Sequence, residues 1–207
     1  MRKIRVVLGV LAISVIATLA FAQTKSTVIG TVHDINSGGC LSCHAPHNGS
    51  VATGGTDQNT GKIVLWDRGF TTVTFGTYSS PTMDSTATEV GTTTPAATEP
   101  RLYSFLCLSC HDGVTSPTLI GPTDVHAVGN VANSAGLTND HPINMAHDDV
   151  ADTGLKTVAQ VTAAGLTLYG ASNTVQCASC HNVHDDTNTP FLRVANTNSA
   201  LCTSCHK

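Results

Sequence analysis

The sequence predicts a chain of mostly coil, with short helices and minimal strand, built around a core that its own side chains do not supply. Three observations carry this expectation. Aromatic residues make up 4% of the 207 positions and there is one Trp, a thin stock for packing an interior. Charged residues are 12%, about half the usual share. Eight cysteines fall in four close pairs with one fixed internal spacing.

Those pairs say what fills the interior. They are Cys40-Leu41-Ser42-Cys43-His44, Cys107-Leu108-Ser109-Cys110-His111, Cys177-Ala178-Ser179-Cys180-His181 and Cys202-Thr203-Ser204-Cys205-His206. Each is C-x-x-C followed at once by His, and no cysteine is left over. With ten His in the chain, four chance hits have a likelihood on the order of 10⁻⁵ to 10⁻⁶, whereas C-x-x-C-H is the attachment signature of haem c. Two thiols one turn apart add to the two vinyl groups on one porphyrin edge. The next residue then lies under the iron and supplies an imidazole. Disulfides would leave the regular spacing without a reason. Zinc ribbons set their knuckles closer together and leave four histidines unused. A thioredoxin-type C-x-x-C needs a βαβ context that is missing here. The expected class is therefore a multihaem cytochrome c, with four haem c groups forming the core.

Four irons call for further ligands. Beyond the proximal set and the leader, the chain has His33, His47, His126, His141, His147 and His184, but only two methionines, Met83 and Met145. This favours His/His over His/Met ligation. His47 and His184 stand three residues after a proximal His, in Cys43-His44-Ala45-Pro46-His47 and Cys180-His181-Asn182-Val183-His184. A ligand that close cannot reach the far face of its own haem, so each is expected to serve a neighbouring one. His33, shortly before the first motif, and His141, stiffened by Pro142, complete the expected distal set. His126 and His147 stay open between ligand and other roles. Asp34 and Asp140 adjoin two of these histidines, and a ligating His commonly donates its second N–H to such an oxygen.

Met1-Arg2-Lys3-Ile4-Arg5, an apolar run from Val6 to Ala20 and Ala20-Phe21-Ala22 form a secretory signal pattern, with cleavage expected after Ala22. The run is shorter than the roughly 20 residues a bilayer span needs, so no membrane span is expected after cleavage. Residues 23–207 are then one tetrahaem domain, with a first haem pair over about 30–125 and a second over about 126–207. Losing three of the ten Lys and Arg takes the formal charge from −4 to −7. No basic run survives, which argues against nucleic acid as a partner.

A weak repeat supports the two pairs. Cys40–His47 resembles Cys177–His184, and Ser104–His111 resembles Ser199–His206, so the unit is C-x-x-C-H-x-x-H, a spacer, then S-x-L-C-x-x-C-H. The first spacer is long and holds eleven Thr between Thr71 and Thr98. It reads as loop carrying a short strand, Thr71–Phe75. A helix is expected from Asp152 to Leu166, capped by Asp152 or Thr153.

The paired unit resembles the doubled-CXXCH multihaem cytochromes. Val32-His33-Asp34, Cys43-His44-Ala45-Pro46-His47, Leu65-Trp66, Tyr78-Ser79-Ser80-Pro81-Thr82, Leu106–Gly113, Asn139-Asp140-His141-Pro142-Ile143 and Thr189-Pro190-Phe191-Leu192-Arg193 are similar to the OmcE-type extracellular tetrahaem cytochromes of metal-reducing bacteria. That resemblance implies bis-His haems in one continuous row through a homopolymer. It also implies one distal ligand donated in trans, for which His33, near the mature N-terminus, is the expected donor. The expected function is electron transfer without catalysis, towards redox partner proteins or extracellular metal oxides, by an exported protein outside the cell or on its outer surface. A monomeric periplasmic shuttle is the alternative. A reductase with one open iron is a third reading, which six spare histidines for four irons argue against.

Overall fold

The longest regular element, α1 (Leu102–His111), ends in the second haem motif. The computed structural model describes residues 28–47, 64–96, 98–121, 126–128 and 136–207; the expected signal segment lies outside them. Helix α1 has no Pro or Gly inside it and buries Leu102, Phe105 and Leu108, spaced three apart, together with Ser104 and Ser109. It stops where the Asp112 N–H turns back to the Leu108 carbonyl and Gly113 takes a left-handed φ of 71°.

Against this helix packs an apolar cluster of Phe70, Phe75, Val90, Leu102, Phe105, Leu108 and Leu137. Three of the chain's five Phe sit in it, so the few aromatic side chains are concentrated in one place. The Thr-rich spacer supplies much of the opposite wall. The strand expected over Thr71–Phe75 does not form, because side-chain oxygens take the N–H groups a ladder would need. Thr71 Oγ1 accepts from Val73 at 3.2 Å, and Glu89 accepts from Phe75 at 2.8 Å and from Gly91 at 2.5 Å. Arg101 closes the spacer by donating to Glu99 and to the carbonyls of Val90 and Thr93.

Regular structure is otherwise sparse. The 3-10 turns Ile35–Ser37 and Gly39–Ser42 carry the first motif. Strands β1 (Met145–Ala146) and β2 (Thr174–Val175) form the only sheet among the described residues, antiparallel, with Met145 opposite Val175. Helix α2 (Val158–Ala163) is shorter than expected. Its cap is Thr157, not Asp152 or Thr153, in a capping box with Gln160. Asp152 instead accepts from Gly154 in a turn, and Leu155 and Lys156 beyond it pair with the last haem motif. Helix α3 (Cys177–Cys180), a 3-10 turn at Thr197–Ser199 and α4 (Ala200–Thr203) carry the third and fourth motifs. The expected architecture of coil, short helices and minimal strand is what the described residues show. No helix among them is long and apolar enough to cross a membrane.

Phe105 is fully buried at the centre of the cluster. Phe105→Ala is expected to lower stability by about 3–5 kcal/mol, the usual range for such a cavity. Denaturant unfolding followed by far-ultraviolet circular dichroism measures this, and a loss below about 1 kcal/mol would mean the cluster contributes little.

Candidate haem sites

Each C-x-x-C lies on a turn of helix or 3-10 helix, which brings its two thiols to one side. All eight cysteines are free thiols. Burial pushes the thiols of Cys43, Cys110 and Cys205 up, and that of Cys180 up to about 11. Among the described residues no cluster of three His, Cys, Asp or Glu is arranged to hold an ion by itself. Successive motifs are neighbours. Cys110 lies close enough to Cys43 to raise its thiol, Cys107 shares a side-chain hydrogen bond with Cys177, and Cys205 raises Cys180. The second of these contacts is held by Ser104 of α1, which donates to Gln176 at 2.6 Å and accepts from the Cys177 N–H at 2.9 Å.

The histidine after each motif is held by a segment that returns to it. His44 bridges Trp66, with Ala45 N–H donating to Leu65 O at 2.9 Å and Asp67 N–H to Cys43 O at 2.8 Å. His181 bridges Leu192 in the same way, through Asn182 to Phe191 at 2.7 Å and Arg193 to Cys180 at 2.8 Å. His206 bridges Leu155, through Lys207 to Gly154 at 2.8 Å and Lys156 to Cys205 at 2.7 Å. At His111 the return is a single bond from Val128 N–H, 2.7 Å. The repeat seen in the sequence is thus a repeat of structure, down to the left-handed φ of 55° at Leu65 and 59° at Phe191.

The return segment also fixes the imidazole. Nδ1 faces a backbone carbonyl in His44 (Val64 O, 2.5 Å), His111 (His126 O, 2.8 Å) and His181 (Pro190 O, 3.0 Å). A carbonyl only accepts, so Nδ1 carries the proton and Nε2 keeps its lone pair for a metal. This is the donor state a proximal ligand needs, and it is the test by which these residues fit haem iron.

Three imidazole pairs lie near one another at similar separations. The ring centroids of His33 and His111 are 6.2 Å apart, those of His44 and His184 6.4 Å, and those of His141 and His206 6.5 Å. Two rings bound from opposite sides of one metal, each at about 2 Å, have centroids about 6 Å apart. Each pair joins a proximal histidine to a residue expected as distal. Burial pushes His33 below its ordinary value, and His111 and His181 beside it add to this. Burial likewise lowers His141, partly offset by its bond to Pro142 O, with His206 lowering it further. Both shifts favour the neutral ring, the form that binds metal. His33 Nδ1 is buried with no partner among the described residues, and its ring is held instead edge-on to Phe191 at 4.5 Å.

No ring contact joins His181 or His47 to another described histidine, and His47 is exposed. The ring of His33, the expected donor in trans, lies 6.2 Å from that of His111 in the same chain. Of the two residues the sequence left open, His147 is buried with Nε2 on Lys156 O at 2.8 Å, a structural role. His126 contributes its carbonyl to His111. Neither adjoining carboxylate serves its histidine. Asp34 accepts from Gly30 and Gly39, and Asp140 Oδ2 is buried without a partner among the described residues. Sequence reasoning missed the return segments. Their signal is a bulky apolar residue followed within two positions by a cation, as in Trp66-Asp67-Arg68, Leu155-Lys156 and Leu192-Arg193.

Comparison with known proteins supports a multihaem c-type cytochrome. The model of the doubled CXXCH motif family matches residues 170–207. The chain is 27% identical over 214 aligned positions to C-type cytochrome OmcS of Geobacter sulfurreducens, an alignment covering 78% of the chain and 49% of that protein. The chain therefore spans about half the length of this curated relative.

Proposed function

We propose that this chain, a multihaem c-type cytochrome, holds four bis-histidine haems and passes electrons along them as one unit of an extracellular polymer that serves external acceptors. The observation that carries the reading is the set of three close imidazole pairs with one proximal histidine left over. The eight cysteines hold the groups. His44, His111, His181 and His206 are the proximal ligands, and the distal partners within the chain are His184 for His44, His33 for His111 and His141 for His206. Haem, when bound, supplies reversible one-electron exchange at iron. The chain's own part is to orient the rings of His44, His111 and His181 through Nδ1, to favour the neutral form of His33 and His141, and to set successive motifs side by side. That last feature supports a row running in sequence order, because Cys43 neighbours Cys110, Cys107 neighbours Cys177 and Cys180 neighbours Cys205.

Among the described residues no ring contact joins His181 to another histidine, although it lies near enough to His33 to lower it, and His47 is exposed with no such contact. We assign His47 as the ligand donated to His181 of the next copy, in place of His33. A second reading rests on the same observation: an iron with His181 as its single protein ligand would be the open site of a reductase. Carbon monoxide separates the two, since a closed row binds none and a reductase binds one per chain.

In the exported full-length protein, mass spectrometry should show four haems per chain, and Cys177→Ala with Cys180→Ala should remove one of them; a native count of three or fewer would sink the tetrahaem assignment. His47→Ala should turn one haem high-spin by electron paramagnetic resonance and abolish fibres in negative-stain microscopy. Intact fibres with low-spin spectra would rule out His47 as the donor.

A further inference from the structure

Positive charge is scarce in this chain and its placement is uneven. The described residues hold five Lys and Arg: Arg68, Arg101, Lys156, Arg193 and Lys207. Arg101 is committed to Glu99 and the spacer. Three of the others reach an attachment loop. Arg68 Nε donates to Ser42 O at 2.6 Å, between the cysteines of the first motif. Arg193 Nε donates to Ala178 O at 2.8 Å, in the third. Lys156 Nζ donates to Thr203 O, in the fourth. All three side chains are half-buried, and all three belong to return segments, Lys156 and Arg193 one position after the bridging residue and Arg68 two. The second motif differs. Its return segment continues His126-Ala127-Val128-Gly129-Asn130 without a cation. The nearest buried charge there is Asp112, whose carboxylate accepts from Val114, Thr115 N–H and Thr115 Oγ1.

From this placement we propose that Arg68, Lys156 and Arg193 set haem potentials, each pinning one C-x-x-C loop and holding a positive charge at the edge of the haem attached there. A ferric bis-imidazole porphyrin centre carries one net positive charge and the ferrous centre none. A fixed cation at short range therefore favours the reduced form and raises the midpoint, and its half-buried position keeps solvent from screening it fully. Each charge is carried to its loop by a hydrogen bond to a carbonyl that lies between the two attachment cysteines. The second motif has the buried carboxylate of Asp112 beside it instead. The role rests on haem attachment at the motifs and is independent of assembly into a polymer.

The test is a potentiometric titration of the full-length holoprotein, following the visible α-band, for Arg193→Gln, Arg193→Lys and Lys156→Gln. Haem content is measured in parallel by pyridine haemochrome. With haem content unchanged, Arg193→Gln and Lys156→Gln should each move one midpoint to lower potential, and Arg193→Lys should titrate close to the native protein. Lys156→Gln keeps the backbone bond to Cys205, so it reads charge with little change to the loop. Superimposable titrations at full haem content would overturn the proposal. So would haem loss in both Gln variants, which would make the cations structural pins alone; a haem count below four in the native protein would instead strike at the tetrahaem assignment.

Discussion

Three of the four motif histidines have one ring nitrogen committed to a backbone carbonyl, and the course of the connecting segments follows from that constraint. A free imidazole rotates and exchanges tautomers, and neither freedom suits a ligand that must hold one metal in one orientation. Here a stretch of backbone returns antiparallel to the histidine and offers a carbonyl to Nδ1, at His44, His111 and His181. The bridge costs the chain little regular structure, since one residue pair and two amide bonds suffice. It does dictate where the connecting segments must end. The truncated helix α2 is a consequence: Leu155 and Lys156 are drawn into the bridge with His206 and cannot join the helix that the sequence pattern extends over them.

The paired imidazoles tie together parts of the chain that are distant in sequence. His33 meets His111, His44 meets His184 and His141 meets His206. The pair from His44 to His184 spans both halves of the molecule, and Cys107 against Cys177 does the same. The two copies of the sequence repeat therefore interlock, although each was read as a haem pair of its own. Among the described residues regular structure amounts to two two-residue strands and a few short helices. Under the proposed ligation, cross-links through iron would do the work that a large apolar core does elsewhere, beside the one small cluster around Phe105.

Much of this was legible because covalent chemistry leaves rigid spacing. The C-x-x-C-H pattern names thiols and proximal rings without reference to the fold, and the shortage of aromatic residues says that something else fills the centre. What stayed hidden was partnership. His33, His47, His141 and His184 look alike as spare imidazoles, and only three-dimensional placement separates His33, which has a ring partner, from His47, which is exposed. Thr71–Phe75 has the composition of a strand, yet Thr71 and Glu89 take its amides, a local competition that propensity does not capture. Arg68, Lys156 and Arg193 read as ordinary surface charge until the carbonyls they reach are known.

The leftover histidines carry the argument about assembly. Three pairs close within one chain, and the proposed ligand scheme leaves one proximal ring, His181, and one exposed distal ring, His47. Were His47 to close the site within its own chain, the molecule would be complete and would have no reason to associate through its haems. If it closes the site of a neighbour, each copy presents one donor and one acceptor that differ from each other. Such a contact is heterologous and propagates head to tail, into a ring if the rotation closes and into an open filament if it does not. A connection of this kind would link neighbouring chains through the same imidazole pairing that closes each site within the chain, so that conduction and assembly would share one chemical interaction.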